Sequence, residues 1–141
     1  MYCALSDILK QIPEEVILQL TDDANMGVVN QEVVDEAIAN AGAVIDGYCS
    51  ARYTIPFATV PAIIKPIAVD LAVYNLYARR VETMPDVREA NQKNAIKLLS
   101  DISRGTIRLG AEAATAGVQP QQSPMVTSAT RIFTRNKLGG L

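Results

Sequence analysis

Apolar positions recur at helical spacing over most of residues 1–110, and the breaks between the runs carry turn chemistry. Ser6 is placed to cap a short helix through Gln11. Pro13, at a first-turn position with Glu14 and Glu15 behind it, opens a second helix through Leu20. Thr21 to Gly27 (TDDANMG) reads as a turn, since Asp and Asn bond their own backbone and Gly tolerates positive φ. Asn30 then caps a long helix whose apolar positions Val33, Val34, Ala37, Ile38, Ala41, Val44, Ile45 and Tyr48 keep a three-four spacing. Gly42 and Gly47 weaken it by about 1 kcal/mol each against Ala, which a close-packed backbone at those points would offset. Tyr53 to Pro61 holds two prolines and several β-branched residues and predicts an extended crossover. Pro61 opens the next helix, with Ile63, Ile64, Ile67, Leu71, Tyr74 and Ala78 as its stripe and Pro66 near its first turn. Thr83 caps a last helix, with Asp86 as capping-box partner and Val87, Ala90, Ala95, Leu98, Leu99 and Ile102 as core face. Gly105 follows as a helix stop, with Arg104 favourable at the negative helix end. The fold class expected is mainly α: a small bundle of four to five helices with an extended C-terminal arm.

The pattern stops after residue 110. Residues 111–130 (AEAATAGVQPQQSPMVTSAT) are small, polar, nearly uncharged and without period, the composition of a flexible linker. Residues 131–141 (RIFTRNKLGGL) change again. Arg131, Arg135 and Lys137 bring three positive charges, and Ile132, Phe133 and Leu138 bring apolar anchors around Thr134. So short a segment cannot build a core, so on composition this tail is equally a frayed basic terminus or a docking arm. The organisation expected is a helical domain over 1–110, a linker over 111–130 and an arm over 131–141.

Composition narrows the chemistry. The chain has 141 residues, 49% apolar and 20% charged, enough for one packed domain without disulfides or metals. A net charge of −2 argues against a nucleic-acid coat, which needs a clustered excess of Lys and Arg. There is no histidine, and Cys3 and Cys49 are far apart, so neither a zinc site nor an imidazole base can be assembled. No glycine-rich phosphate loop or nucleophile elbow is present, and Ser100 and Ser103 lack an activating base. Counted from Asp22 as a calcium loop, Ala24 and Met26 fall on ligand positions, which leaves a turn. Neither enzyme, cofactor nor metal is expected. No signal peptide and no uninterrupted membrane-spanning run is read, so the expected place of synthesis is a cytoplasm.

One charge stands out. Asp70 lies between Ile67 and Tyr74 on an apolar face, where burial is costly unless the carboxylate is paired. Arg52 and Arg79 are the expected partners in a structural ion pair, within the chain or across a subunit boundary.

The run Ile45-Asp46-Gly47-Tyr48-Cys49-Ser50-Ala51-Arg52-Tyr53-Thr54-Ile55-Pro56 resembles the "IDGYLxARYxxP" core of a family found in Mu-like phages and prophages. Leu18 to Asp22 resembles its early "LxQLTD" block. Pro61 with Ile64, Ile67, Ala68, Asp70, Ala72, Tyr74 and Leu76 resembles its central helix. Ile102 to Gly110 resembles its "IaxGxixLG" end, and Arg131 to Arg135 its closing "RxFxR" motif. Cys49 departs from the family's Leu but keeps the position apolar. The family is similar in helical layout to head–tail connector (adaptor) proteins of long-tailed phages. The resemblance implies a virion protein of the neck: a homo-oligomeric ring, commonly twelve-fold, beneath the portal protein. It also implies an arm that reaches the portal, a tail-side neck or stopper protein below, and DNA only as cargo passing through the lumen. The alternative class is a DNA-binding packaging or regulatory protein, with Arg88 to Arg104 as recognition helix through Lys93, Asn94 and Lys97; Glu89 and Asp101 count against it.

Overall fold

The computed structural model describes residues 1–80 and 84–110 of the chain. These form five helices in chain order: α1 (Leu5–Ile8), α2 (Glu14–Thr21), α3 (Gln31–Cys49), α4 (Ile64–Ala78) and α5 (Asp86–Arg104). There is no β-strand among the described residues. The expected all-helical bundle is therefore the fold.

Helix α4 occupies the centre, packed between α3 and α5, with α1 and α2 laid against it. Its sequence predicts one apolar stripe, but Ile64, Ile67, Ala68, Val69, Leu71, Ala72, Val73 and Leu76 are all buried. A helix apolar on most of its circumference is a core helix. Ala78, expected on the stripe, is exposed, and Tyr74 is half-buried. Around α4 pack Val34, Ala37, Ile38, Ala41, Ile45 and Cys49 of α3 and Ala95, Leu99 and Ile102 of α5. Each fully buried Ile or Leu contributes roughly 1.5–3 kcal/mol of transfer free energy. Val44 and Val87, read as core positions, are 38% and 65% exposed, and Ala90 is exposed as well.

The helix ends are set by local chemistry, and three local features, two at helix ends and one inside α3, differ from expectation. Asn30 caps α3 as its sequence position predicts. Its side-chain oxygen accepts from the backbone N–H groups of Glu32 (3.1 Å) and Val33 (3.4 Å). Pro13 sits one residue ahead of α2, whose first turn holds Glu14 and Glu15. The first difference is at α1, which starts at Leu5 after Ala4, not at Ser6. Asp7 supplies the missing cap by accepting from the Ala4 N–H at 3.2 Å. The second is at α5, whose N-cap is Pro85; Thr83 lies outside the described residues. The third concerns Gly42 and Gly47. An added Cβ on Gly42 would meet only the Tyr2 ring at 3.8 Å, and one on Gly47 would meet nothing within 4 Å. No backbone approaches either glycine closely enough to require it.

Candidate assembly site

The turn Thr21–Gly27 is built to be held. Both carboxylate oxygens of Asp22 accept backbone N–H groups, from Met26 at 2.9 Å and from Gly27 at 2.7 Å. These bonds favour the ionised form and hold its pKa below the ordinary carboxylate value. Asn25 and Gly27 take positive φ, 53° and 70°. Two arginines at the end of α4 tie the turn down. Arg79 donates to the Leu20 carbonyl at 2.9 Å and pairs with Asp23 at 2.6 Å; Arg80 pairs with Asp23 at 3.0 Å. The Arg79 bond and then the nearby positive charge lower the Asp23 pKa. With both aspartates engaged in this way, the segment serves as a turn.

Asp70 does not have the partner expected for it. The residue is half-buried, and its carboxylate accepts from the Gln11 side chain at 3.3 Å. Arg79 is committed to Asp23 and Leu20, and Arg52 donates to the Arg104 carbonyl at 3.3 Å. Within one chain, then, the Asp70–Arg52 and Asp70–Arg79 pairs do not form. The physical reason is position: the turn claims Arg79, and the open end of α5 claims Arg52. The densely paired acid is instead Asp7, bonded to Lys65 at 2.9 Å and Lys10 at 3.0 Å. Lys65 and then Lys10 pull its pKa down to about 2.

The block 45–56 gathers a clasp at one end of the bundle. Asp46 accepts the hydroxyl of Tyr2, which raises the Tyr2 pKa together with burial, the larger cause. The Tyr2 ring meets Phe57 edge-on at 5.9 Å, and Phe57 meets Tyr53 at 6.0 Å, both within the range of favourable aromatic pairs. Arg52 lies over Gly105 and caps the C-terminus of α5 through the Arg104 carbonyl. Gly105 is in the left-handed region at φ 80°, and the N–H groups of Thr106 and Ile107 return to the Asp101 carbonyl at 2.9 and 3.2 Å. A glycine in that conformation is a common way to end a helix. Tyr53 then accepts the Leu109 N–H at 3.1 Å. The neighbouring residues Arg52 and Tyr53 thus pin both ends of the stretch 104–109, and the chain beyond it starts from a fixed point on the domain.

The parts that meet here are far apart in sequence: residue 2, residues 46–57 and residues 104–109. Residues 46–56 and 104–109 fall within two blocks of the family resemblance, while Tyr2 and Phe57 lie outside it. The sequence profile described as "Bacteriophage Mu, Gp36" matches residues 2–128. The chain belongs to the bacteriophage Mu Gp36 family. Two relatives extend the match. The "Mu-like prophage FluMu protein gp36" of Haemophilus influenzae (strain ATCC 51907 / DSM 11121 / KW20 / Rd) is 26% identical over 140 residues, covering 99% of this chain and 97% of that protein. "Gene product J" of Escherichia phage Mu is 28% identical over 115 residues, 80% of this chain and 79% of that protein.

For this Gp36-family chain, Asp46, Arg52 and Tyr53 read as clasp residues. Within one chain Arg52 serves the end of α5 and not Asp70, and the roles of Tyr2, Phe57 and Gly105 as a set are not legible in the sequence. The usable signal was the joint presence of a helix-stopping Gly105 and a preceding Arg-Tyr pair in one family pattern. Arg131, Ile132, Phe133, Thr134, Arg135, Lys137 and Leu138, together with the stretch 111–130, lie outside the described residues. On α5, Arg88 bonds Gln11 through its side-chain and backbone oxygens at 3.3 Å each, and Lys93 pairs with Glu89 at 3.0 Å, so two of the cations of the DNA-binding alternative are engaged. Among the described residues no helix is long and apolar enough to cross a membrane.

Proposed function

We propose that the chain is a non-enzymatic structural protein of the virion neck: a head–tail connector that forms a ring, commonly twelve-fold, beneath the portal protein. It docks through residues 131–141, with Phe133 and Ile132 as anchors and Arg131 and Arg135 as flanking cations. A tail-side neck or stopper protein meets its other face, and DNA passes through the lumen without a dedicated site. No cofactor, metal or membrane enters this reading.

The observation that carries the reading is the anchored exit at 104–109, in a chain of the Mu Gp36 family. A docking arm works when its root is fixed and its tip is free to search, because linkage makes the second contact effectively intramolecular. Arg52 and Tyr53 provide such a root. From Gly110, the stretch 111–130 spans at most about 65–70 Å when extended, at roughly 3.3–3.6 Å per residue. An extended Arg-Ile-Phe-Thr-Arg segment can add to a neighbour's sheet edge through backbone hydrogen bonds, with Phe133 in a pocket.

The test is removal of 131–141. The truncated protein is expected to melt like the full chain and to fail both in co-sedimentation with portal rings and in joining heads to tails. Normal joining by the truncated protein overturns the reading.

A further inference from the structure

Away from the clasp, the first turn of α2 and residues 27–29 frame an open groove of about 440 Å³. Pro13, Leu18, Val28 and Val29 form its apolar lining and Glu14 and Glu15 its acidic rim. Val28 is 60% exposed, and Met26, next to Gly27 in the chain, is 73% exposed. An adaptable Met beside exposed aliphatics suits a surface that accepts a segment. The two glutamates form no ion pair among the described residues, since the paired cations go elsewhere: Lys10 and Lys65 to Asp7, Arg79 and Arg80 to Asp23, Lys93 to Glu89. The groove thus calls for a ligand with apolar anchors flanked by positive charges.

We propose that this groove holds residues 131–141 of the same chain before assembly, and that the arm is released from it to the portal. The inference rests on the reading of 131–141 as a docking arm. Charge and shape select the occupant. Arg131, Arg135 and Lys137 match Glu14 and Glu15; the segment has no acidic side chain, and Phe133 and Ile132 match the apolar lining. Reach allows it as well. A domain of about 100 residues has a radius of gyration of about 13 Å. An arm rooted at Gly110 on a spacer of up to about 65–70 Å therefore reaches any point of its own surface. The effective concentration of a short tethered segment is on the order of millimolar, which favours the chain's own groove over that of another copy. Docking in the groove covers Val28 and keeps the arm from engaging other surfaces; the portal then has only to bind the arm better than this shallow site does.

The experiment uses the full chain with Phe133→p-benzoylphenylalanine, irradiated alone and with portal rings, then digested and mapped by mass spectrometry. Cross-links are expected on peptides containing 13–18 or 26–29, within single chains in a mixture of isotopically labelled and unlabelled protein. They are expected to disappear on adding portal. The exposed variants Glu14→Gln/Glu15→Gln and Val28→Ser, each first shown by circular dichroism to keep the native helix content, should lower the yield, the double glutamine variant by roughly five-fold, the effect of two screened ion pairs. Cross-links that map elsewhere, that join only different chains, or that are insensitive to these variants overturn the inference. The arm-to-portal reading fails separately: if the chain lacking 131–141 still joins heads to tails, that reading falls even where the groove cross-links are found.

Discussion

Replacing Gly105 with Ala tests the clasp and the fixed exit together. Gly105 has φ 80°. Holding an L-residue in that region costs about 1–2 kcal/mol. A Cβ there would overlap the Arg52 guanidinium. The obstruction is the far end of a flexible side chain, so Arg52 swings aside at small steric cost and gives up its 3.3 Å bond to the Arg104 carbonyl. That bond is exposed, and its loss adds a few tenths to about 1 kcal/mol. The sum is about 2 kcal/mol, which for a domain of about 100 residues lowers Tm by roughly 8 °C or more. The chain has no Trp but has five Tyr, so urea unfolding followed by far-UV circular dichroism and tyrosine fluorescence reads it. The decisive comparison adds Arg52→Ala. If Arg52 rests on Gly105, the alanine at 105 costs less in the Arg52→Ala background, by the share assigned to the displaced bond. A Gly105→Ala chain within about 0.5 kcal/mol of the native one refutes the left-handed helix stop, and strict additivity of the two substitutions refutes the Arg52 contact.

Two further predictions concern titratable groups. The folded-state pKa of Asp7 is depressed to about 2 by Lys65 and Lys10, so its contribution is present above the unfolded value of 3.8 and is lost as pH falls through that window; Asp22 and Asp23 share the sign. Asp7→Asn should therefore flatten the fall in Tm between about pH 4 and pH 2, and an unchanged slope would show the Lys65 and Lys10 bonds to be without effect on stability. Cys3 and Cys49 are buried, and burial pushes both thiols up to about 11. Since the thiolate is the reactive form, the folded chain should react with almost no thiol reagent at neutral pH and the unfolded chain with two equivalents; rapid reaction in the folded state would refute their burial.

Local signals were legible where the cause is local. Asn30, Pro13 and Gly105 act within one turn of their own positions, and each marks a helix end in the structure as in the sequence. The three-four spacing located α3 and α4, but it understated the burial of α4, because a stripe says nothing about what covers the opposite face. The partner of a charge is a tertiary fact. Asp70 and Arg52 look complementary on paper, yet Arg52 is nearer the open carbonyl end of α5 and Asp70 nearer Gln11. Likewise Lys65, distant in sequence, adds a second partner to Asp7 beside the local Lys10. The clasp was not legible as a unit: two of its segments lie in the family pattern, but Tyr2 and Phe57 lie outside it and join the rest only through tertiary packing.

The enclosure of α4 also governs how defects in this protein are to be read. Between Ile67 and Leu76 only Asp70, Tyr74 and Asn75 are even half-exposed, and Asn75 is already bonded to the Ala37 carbonyl at 3.1 Å. That stretch of the helix has almost no surface left to offer another molecule. Substitutions there that abolish function therefore report a chain that no longer folds. Substitutions that spare the fold and still abolish function belong on the outward sides of α2, α3 and α5, and where they cluster they would outline a working surface.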